Sequence, residues 1–188
     1  MKEAVILLAD GFEECEALCV YDTLVRGGVK TLFSSVGERT VESAHGVKIT
    51  ADEILSEKTL EKKWDLVFLP GGMPGAANLA KSAFVKKLLV SSNERASLIG
   101  AICASPAVVL GPLGLLEGRK ATVFPGCDSF YPDFPFSTDG VVVSGNVVTA
   151  KSAGYAFDMG IVLLSLLEGE TAAEKVQKQI YYKEGCRI

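Results

Sequence analysis

The chain has 188 residues, with 19 basic and 23 acidic side chains, a formal net charge of −4 and 48% hydrophobic residues. This length predicts one domain, residues 1–188, with a substantial core. The basic residues are scattered rather than gathered into a stripe, which argues against nucleic acid as a partner. The first apolar run, residues 4–9, is too short to span a bilayer and no signal cleavage site follows it. We therefore expect a soluble, cytoplasmic protein without a membrane partner.

Apolar runs typical of buried strands alternate with helical patterns along the chain. The strands are predicted at residues 3–9, 29–36, 65–69 and 97–102, the helices at 13–26, 76–91, 154–167 and 171–182, and a hairpin at 141–144 and 147–150. This order predicts an α/β fold, a flavodoxin-like sandwich with a mostly parallel sheet and helices on both faces. Functional sites in such sheets form at the carboxyl ends of the strands.

A cysteine flanked by small residues stands at one of these strand ends. In Ala101-Ile102-Cys103-Ala104-Ser105, the small residues two before and two after Cys103 permit a sharp strand-to-helix turn, a nucleophile elbow. Such a turn would expose the sulfur at the N-terminus of the next helix, where the helix dipole favours a thiolate. Cys103 is therefore predicted to be a nucleophile, and the alternative is a buried core cysteine.

The remaining cysteines and the single histidine predict neither a disulfide framework nor a metal site. Five cysteines, at positions 15, 19, 103, 127 and 186, include no C-x-x-C pair, so reduced thiols are expected. Because His45 is the only histidine, the sequence argues against a His-containing metal cluster. We expect no metal and no cofactor.

Acidic residues open the first predicted helix. Glu13 and Glu14 are positioned to complement the helix dipole. Glu16 has apolar neighbours at helical spacing and is predicted to face inward, where burial favours the protonated acid. A protonated carboxyl could donate a hydrogen bond to a thiolate and later act as a general acid. The alternative is that Glu16 also only complements the dipole.

A Gly-Gly pair follows the strand at residues 65–69. Gly71 and Gly72 would let the backbone approach a ligand closely, and the N–H groups of Gly72 and Ala104 could together bind an oxyanion. An ordinary turn is the alternative reading of this pair. Cysteine proteases and amidotransferases of this architecture need a Cys–His pair, but His45 precedes residues 47–50 and does not follow the elbow. It is predicted to be a surface or interface histidine, which disfavours a protease.

Four motifs follow one another along the chain. They are residues 9–16 (ADGFEECE), 65–72 (DLVFLPGG), 101–106 (AICASP) and 149–157 (TAKSAGYAF). Through them the chain resembles the ThiJ/PfpI superfamily over essentially its full length, in the branch of the Parkinson-associated protein deglycase and its bacterial relatives.

The resemblance implies roles for the residues already singled out. Cys103 would be the oxidisable nucleophile, Glu16 the protonated carboxyl beside it, and Gly71, Gly72 and Ala104 the backbone pocket. It also implies a homodimer packed partly through the first helix. The activities implied are those of a glyoxalase, a deglycase acting on methylglyoxal adducts, and an oxidative-stress chaperone.

Two positions depart from the pattern of the superfamily. Some members carry a histidine in a Thr-x-His-Pro segment where this chain has Phe124, so a histidine-assisted step is not expected. Many members carry an arginine where this chain has His45. Anion binding from that position would become dependent on pH.

The leading hypothesis is an enzyme that acts on a small reactive aldehyde or dicarbonyl. Cys103 would attack the aldehyde, Glu16 would shuttle protons, and hydration would release a 2-hydroxy acid such as lactate. The alternatives are a redox sensor or stress chaperone that works through oxidation of Cys103, and a role in thiamine-thiazole metabolism. Without a resolving cysteine at C-x-x-C spacing, oxidised Cys103 is expected to proceed to a sulfinic acid.

Overall fold

A computed structural model of the protein describes residues 1–182. The strands are β1 (Glu3–Leu8), β2 (Lys30–Ser35), β3 (Thr40–Glu42), β4 (Lys48–Thr50), β5 (Glu53–Ile54), β6 (Leu66–Leu69), β7 (Leu98–Ile102), β8 (Val141–Ser144) and β9 (Val147–Ala150). The α-helices are α1 (Glu14–Arg26), α2 (Glu57–Glu61), α3 (Gly75–Lys81), α4 (Ala83–Glu94), α5 (Ala156–Glu168) and α6 (Glu170–Gln179).

Within residues 1–182, seven of these strands form one sheet in the order β5-β2-β1-β6-β7-β9-β8. All neighbours in it run parallel except β8 and β9, which form the predicted antiparallel hairpin. Strands β3 and β4 pair separately. The predicted α/β architecture with a mostly parallel sheet is confirmed. None of the helices in the described part of the chain has the length and apolar character needed to cross a membrane.

Helices cover both faces of the sheet, which explains why its central strands are continuous apolar runs. In β1, Ile6 and Leu8 face a core cluster shared with α1, α5 and α6, whereas Val5 and Leu7 face a second cluster shared with α3 and α4. All four of these side chains are fully buried. The carboxyl ends of β1, β6 and β7, which are adjacent in the sheet, therefore open at the same edge.

The structure divides two segments differently from the sequence prediction. The helix predicted at residues 76–91 is two helices, α3 and α4, because the chain is extended at Ser82, whose hydroxyl caps α4 by accepting the Val85 N–H at 3.4 Å. The helix predicted after Cys103 is a five-residue π-helix, Pro106–Leu110, followed by a 3₁₀ turn, Gly111–Leu113. Pro112 lies in that turn and has no N–H with which to continue a regular helix.

Candidate active site

Cys103 occupies the sharp turn that the small flanking residues predicted. It follows directly on β7, and its φ of +63° lies in the left-handed region, which costs a residue other than glycine roughly 1–3 kcal/mol. Two backbone hydrogen bonds hold it there: its N–H donates to the Ala150 carbonyl and its own carbonyl accepts from the Phe124 N–H, both at 2.9 Å. The predicted sharp turn after the strand is confirmed, with Cys103 partly buried rather than enclosed in the core.

Glu16 points from α1 into the protein, as its apolar neighbours predicted. Its side chain is almost fully buried, with 1% of the residue exposed. The Oε2 atom accepts the N–H of Gly71 at 2.7 Å, and the carboxylate also accepts from the Cys103 thiol and the Ala153 N–H. Glu16 therefore ties the first helix to the loop after β6 and to the elbow after β7.

Gly71 lies against both Cys103 and Glu16, and these two side chains have room to meet because Gly71 has no Cβ. A Cβ at this position would lie 2.4 Å from the Cys103 Cβ and 2.7 Å from Glu16 Oε2. Any side chain here would push the two groups apart. The Gly71 N–H is already used by Glu16, so this residue positions the acid rather than facing a ligand.

The backbone N–H groups of Gly72 and Ala104 lie near enough to the Cys103 sulfur to lower the pKa of its thiol. Gly72 reaches this position with a φ of +84°, and a Cβ there would lie 2.5 Å from the Glu13 nitrogen. Both features require glycine. When a carbon atom is bound to the sulfur, an oxygen on that carbon lies near the same two N–H groups. They are therefore positioned to stabilise negative charge on that oxygen.

Burial dominates the ionisation of the Glu16–Cys103 pair. It raises the pKa of Glu16 to about 7, although the hydrogen bonds from Gly71, Cys103 and Ala153 favour the carboxylate. Burial, together with the neighbouring Glu16 carboxylate, raises the pKa of Cys103 to about 12. The N–H groups of Gly72 and Ala104 act in the opposite direction but are outweighed.

Burial of the sulfur and the neighbouring Glu16 carboxylate argue against the prediction that Cys103 rests as a thiolate beside a protonated Glu16. That prediction weighed the helix-terminus effect without either of them. Since two buried anions in contact repel, the pair carries at most one negative charge near neutral pH. Because burial and the nearby carboxylate raise the pKa of Cys103, they favour its thiol form and leave that charge to Glu16.

His45 lies on the surface, in the connection between β3 and β4. Its side chain is 68% exposed, and Nδ1 lies 2.8 Å from Glu14 Oε1 and 3.7 Å from Glu13 Oε2. The expectation of a surface histidine is confirmed. The argument that a lone histidine cannot join a metal-ligating cluster was wrong, because the fold brings two consecutive carboxylates of another element to it.

The segment that contains Phe124 lies beside the elbow, and sequence reasoning missed that it also brings Cys127 there. Phe124 reaches Cys103 through the backbone hydrogen bond described above, and Cys127 closes the following turn by donating its N–H to the Phe124 carbonyl at 2.9 Å. The four cysteines that the structure describes, 15, 19, 103 and 127, are free thiols, as expected. Cys186 lies outside the described residues.

Known proteins resemble the chain over most of its length. It is 33% identical over 181 residues to the Caenorhabditis elegans protein named glutathione-independent glyoxalase DJR-1.2, with 95% of this chain and 96% of the relative covered. It is also 33% identical to the Arabidopsis thaliana proteins DJ-1 homolog B and homolog A, of whose lengths it spans only 40% and 45%.

The fold has a close counterpart among solved structures. Oxidized Toxoplasma gondii DJ-1 superposes with a TM-score of 0.91 at 33% identity, covering 97% of this chain and 100% of that one. Residues 2–166 match the DJ-1/PfpI family model, a span that contains the elbow, the buried acid and the Gly-Gly turn. The chain therefore belongs to the DJ-1/PfpI family.

Proposed function

We propose that the chain is a cofactor-independent, cytoplasmic enzyme of the glyoxalase or deglycase type, acting on methylglyoxal or its adducts and protecting against oxidative stress. The observation that carries this proposal is the buried Glu16 carboxylate that accepts the thiol proton of Cys103. A base in contact with a nucleophile is the arrangement that covalent catalysis requires. The name of the C. elegans relative supports the same substrate class.

The first step is addition of the Cys103 sulfur to the aldehyde carbon. As the carbon–sulfur bond forms, the thiol proton passes to the Glu16 carboxylate, so no free thiolate has to accumulate. The aldehyde oxygen takes up the electron pair of the broken π bond, and the N–H groups of Gly72 and Ala104 stabilise its charge. Glu16 then passes the proton that it took from the thiol to that oxygen, which gives a hemithioacetal and restores the carboxylate.

The later steps move a proton between the two carbons and then release the product. Glu16 removes the proton from the former aldehyde carbon and returns one to the neighbouring carbon, which converts the hemithioacetal into a thioester of a 2-hydroxy acid. Water then attacks the thioester, and the thiol of Cys103 leaves. Methylglyoxal and water are thereby converted to lactate without net oxidation.

A second candidate function is a redox sensor or stress chaperone controlled by oxidation of Cys103. The partly buried sulfur stands at a strained elbow, and the similar Toxoplasma gondii protein was solved in an oxidized form. Both functions use the same sulfur. They differ in whether an aldehyde or an oxidant is its natural reaction partner.

We also propose that the protein is a homodimer packed partly through α1. The supporting observation is that α1 presents Leu18 and Val25 to solvent, with 40% and 45% of each residue exposed. These residues are seven apart and share one face of the helix.

Replacement of the nucleophile tests the reaction directly. We expect Cys103→Ser to lower the rate of lactate formation from methylglyoxal by at least about a thousandfold, because a hydroxyl is a far weaker nucleophile than sulfur beside the same base. Cys15→Ser, at an exposed cysteine, should retain the wild-type rate. Undiminished turnover by Cys103→Ser would remove the covalent step.

The pH profile tests Glu16 as the base. Because the active form carries an ionised carboxylate, kcat/KM should fall about tenfold per pH unit below a midpoint near pH 7 and level off above it. Glu16→Gln should be slower by about a hundredfold or more and lose this dependence. The same midpoint in Glu16→Gln would show that another group titrates.

Light scattering at micromolar concentration tests the dimer. We expect a dimer for the wild type and a monomer for Leu18→Asp, since a carboxylate would be buried without a partner in the interface. Leu166→Asp is the matched control, because Leu166 is an equally exposed leucine on a different helix, α5. A monomeric wild-type protein contradicts the proposal.

A further inference from the structure

We propose that Cys127 is a resolving thiol for Cys103: after a hydroperoxide oxidises Cys103, Cys127 closes a disulfide with it. The proposal concerns the fate of the oxidised sulfur and does not depend on turnover of methylglyoxal. It is based on three features of the segment that contains Cys127, namely its connection to the elbow, the partial burial of its cysteine and the open space beside it.

Two backbone hydrogen bonds connect the cysteines. The Phe124 N–H donates to the Cys103 carbonyl, and the Cys127 N–H donates to the Phe124 carbonyl, each at 2.9 Å. Residues paired in this way have Cα atoms about 5–7 Å apart, so Cys103 and Cys127 are separated by about 14 Å at most. A disulfide needs a Cα separation of roughly 4.4–6.8 Å, so a shift of the turn by about 7 Å at most suffices.

Cys127 is turned toward the protein. From Phe124 to Phe130 every residue is exposed except Cys127, which is partly buried. Burial raises the pKa of its thiol, as do the charges of Asp128 and Glu16. Glu16 also raises the pKa of the Cys103 thiol, so the same buried carboxylate acts on both sulfurs.

The turn is held by bonds within it and by packing against the π-helix Pro106–Leu110. Asp128 Oδ1 accepts the Gly126 N–H at 2.9 Å, and the Ser129 hydroxyl donates to the Gly126 carbonyl at 2.7 Å. The residues on either side of Cys127 border a cavity of about 400 Å³, which leaves this exposed turn room to move.

The chemistry balances with a hydroperoxide as the oxidant. The Cys103 sulfur takes one oxygen from the peroxide, which leaves as an alcohol or water, and becomes a sulfenic acid. The Cys127 sulfur then attacks the Cys103 sulfur. The sulfur–sulfur bond forms, the sulfur–oxygen bond breaks, and hydroxide leaves with the Cys127 proton as water. This step competes with a second peroxide, which would give the sulfinic acid expected from the sequence.

Oxidation of the full-length protein with a small excess of hydrogen peroxide, enough for two oxidations of Cys103, tests the proposal, followed by peptide mass spectrometry without reduction. In the wild type we expect a peptide linked through Cys103 and Cys127, and dithiothreitol should restore most of the Cys103 thiol. In Cys127→Ser we expect Cys103 to carry two oxygens, with recovery of the thiol by dithiothreitol at least about fivefold lower, since a sulfinic acid resists thiols. Cys15→Ser should behave as the wild type.

Two outcomes overturn the proposal. One is that wild type and Cys127→Ser form the sulfinic acid equally fast, with no linked peptide in the wild type. The other is a Cys103 disulfide that joins two chains, visible as a dimer on a non-reducing gel. Lactate formation is measured separately in unoxidised protein, so a failure here leaves the proposed enzymatic function standing, and the reverse also holds.

Discussion

The contact between Glu16 and Cys103 is the constraint on which the rest of the site depends. Glu16 is 1% exposed and its pKa is raised to about 7. Its ionised form is therefore less favourable in the folded protein than in the unfolded chain. Because the folded pKa lies above the ordinary value of 4.5, this glutamate lowers the free energy of unfolding as pH rises from about 4.5 through about 7. The loss is about 3 kcal/mol when complete. A cost of that size, at a helix residue that contacts the loops after β6 and β7, indicates a functional position.

The fold supplies the backbone that holds this pair together. Strands β1, β6 and β7 are adjacent and parallel, so the segments that leave their carboxyl ends meet. Gly71 fits between the two side chains because it has no Cβ, and the Ser105 hydroxyl donates to the Pro70 carbonyl at 2.6 Å, joining the elbow to the same loop. The hydrogen bonds of the elbow to its neighbours hold Cys103 at a positive φ despite the strain.

Sequence reasoning succeeded where the cause is local. The elbow follows from small residues around Cys103, and the inward position of Glu16 follows from helical periodicity. The break at Ser82 was missed because the apolar pattern continues across it, and α2 and β5 are too short to show a period. The ionisation of Cys103 and the approach of Cys127, 24 positions away, depend on burial and on contacts between distant segments. The spacing of residues along the chain therefore predicts neither the ionisation of Cys103 nor the position of Cys127.

Infrared spectroscopy between about pH 5 and about pH 9 tests most directly where the shared proton lies. The carbonyl band of the protonated carboxyl is assigned by its loss in Glu16→Gln, and the S–H band of the thiol by its loss in Cys103→Ser. We expect the carboxyl band to disappear with a midpoint near pH 7 while the S–H band persists. Loss of the S–H band with the carboxyl band retained would contradict the account, since it would place a thiolate beside a protonated acid.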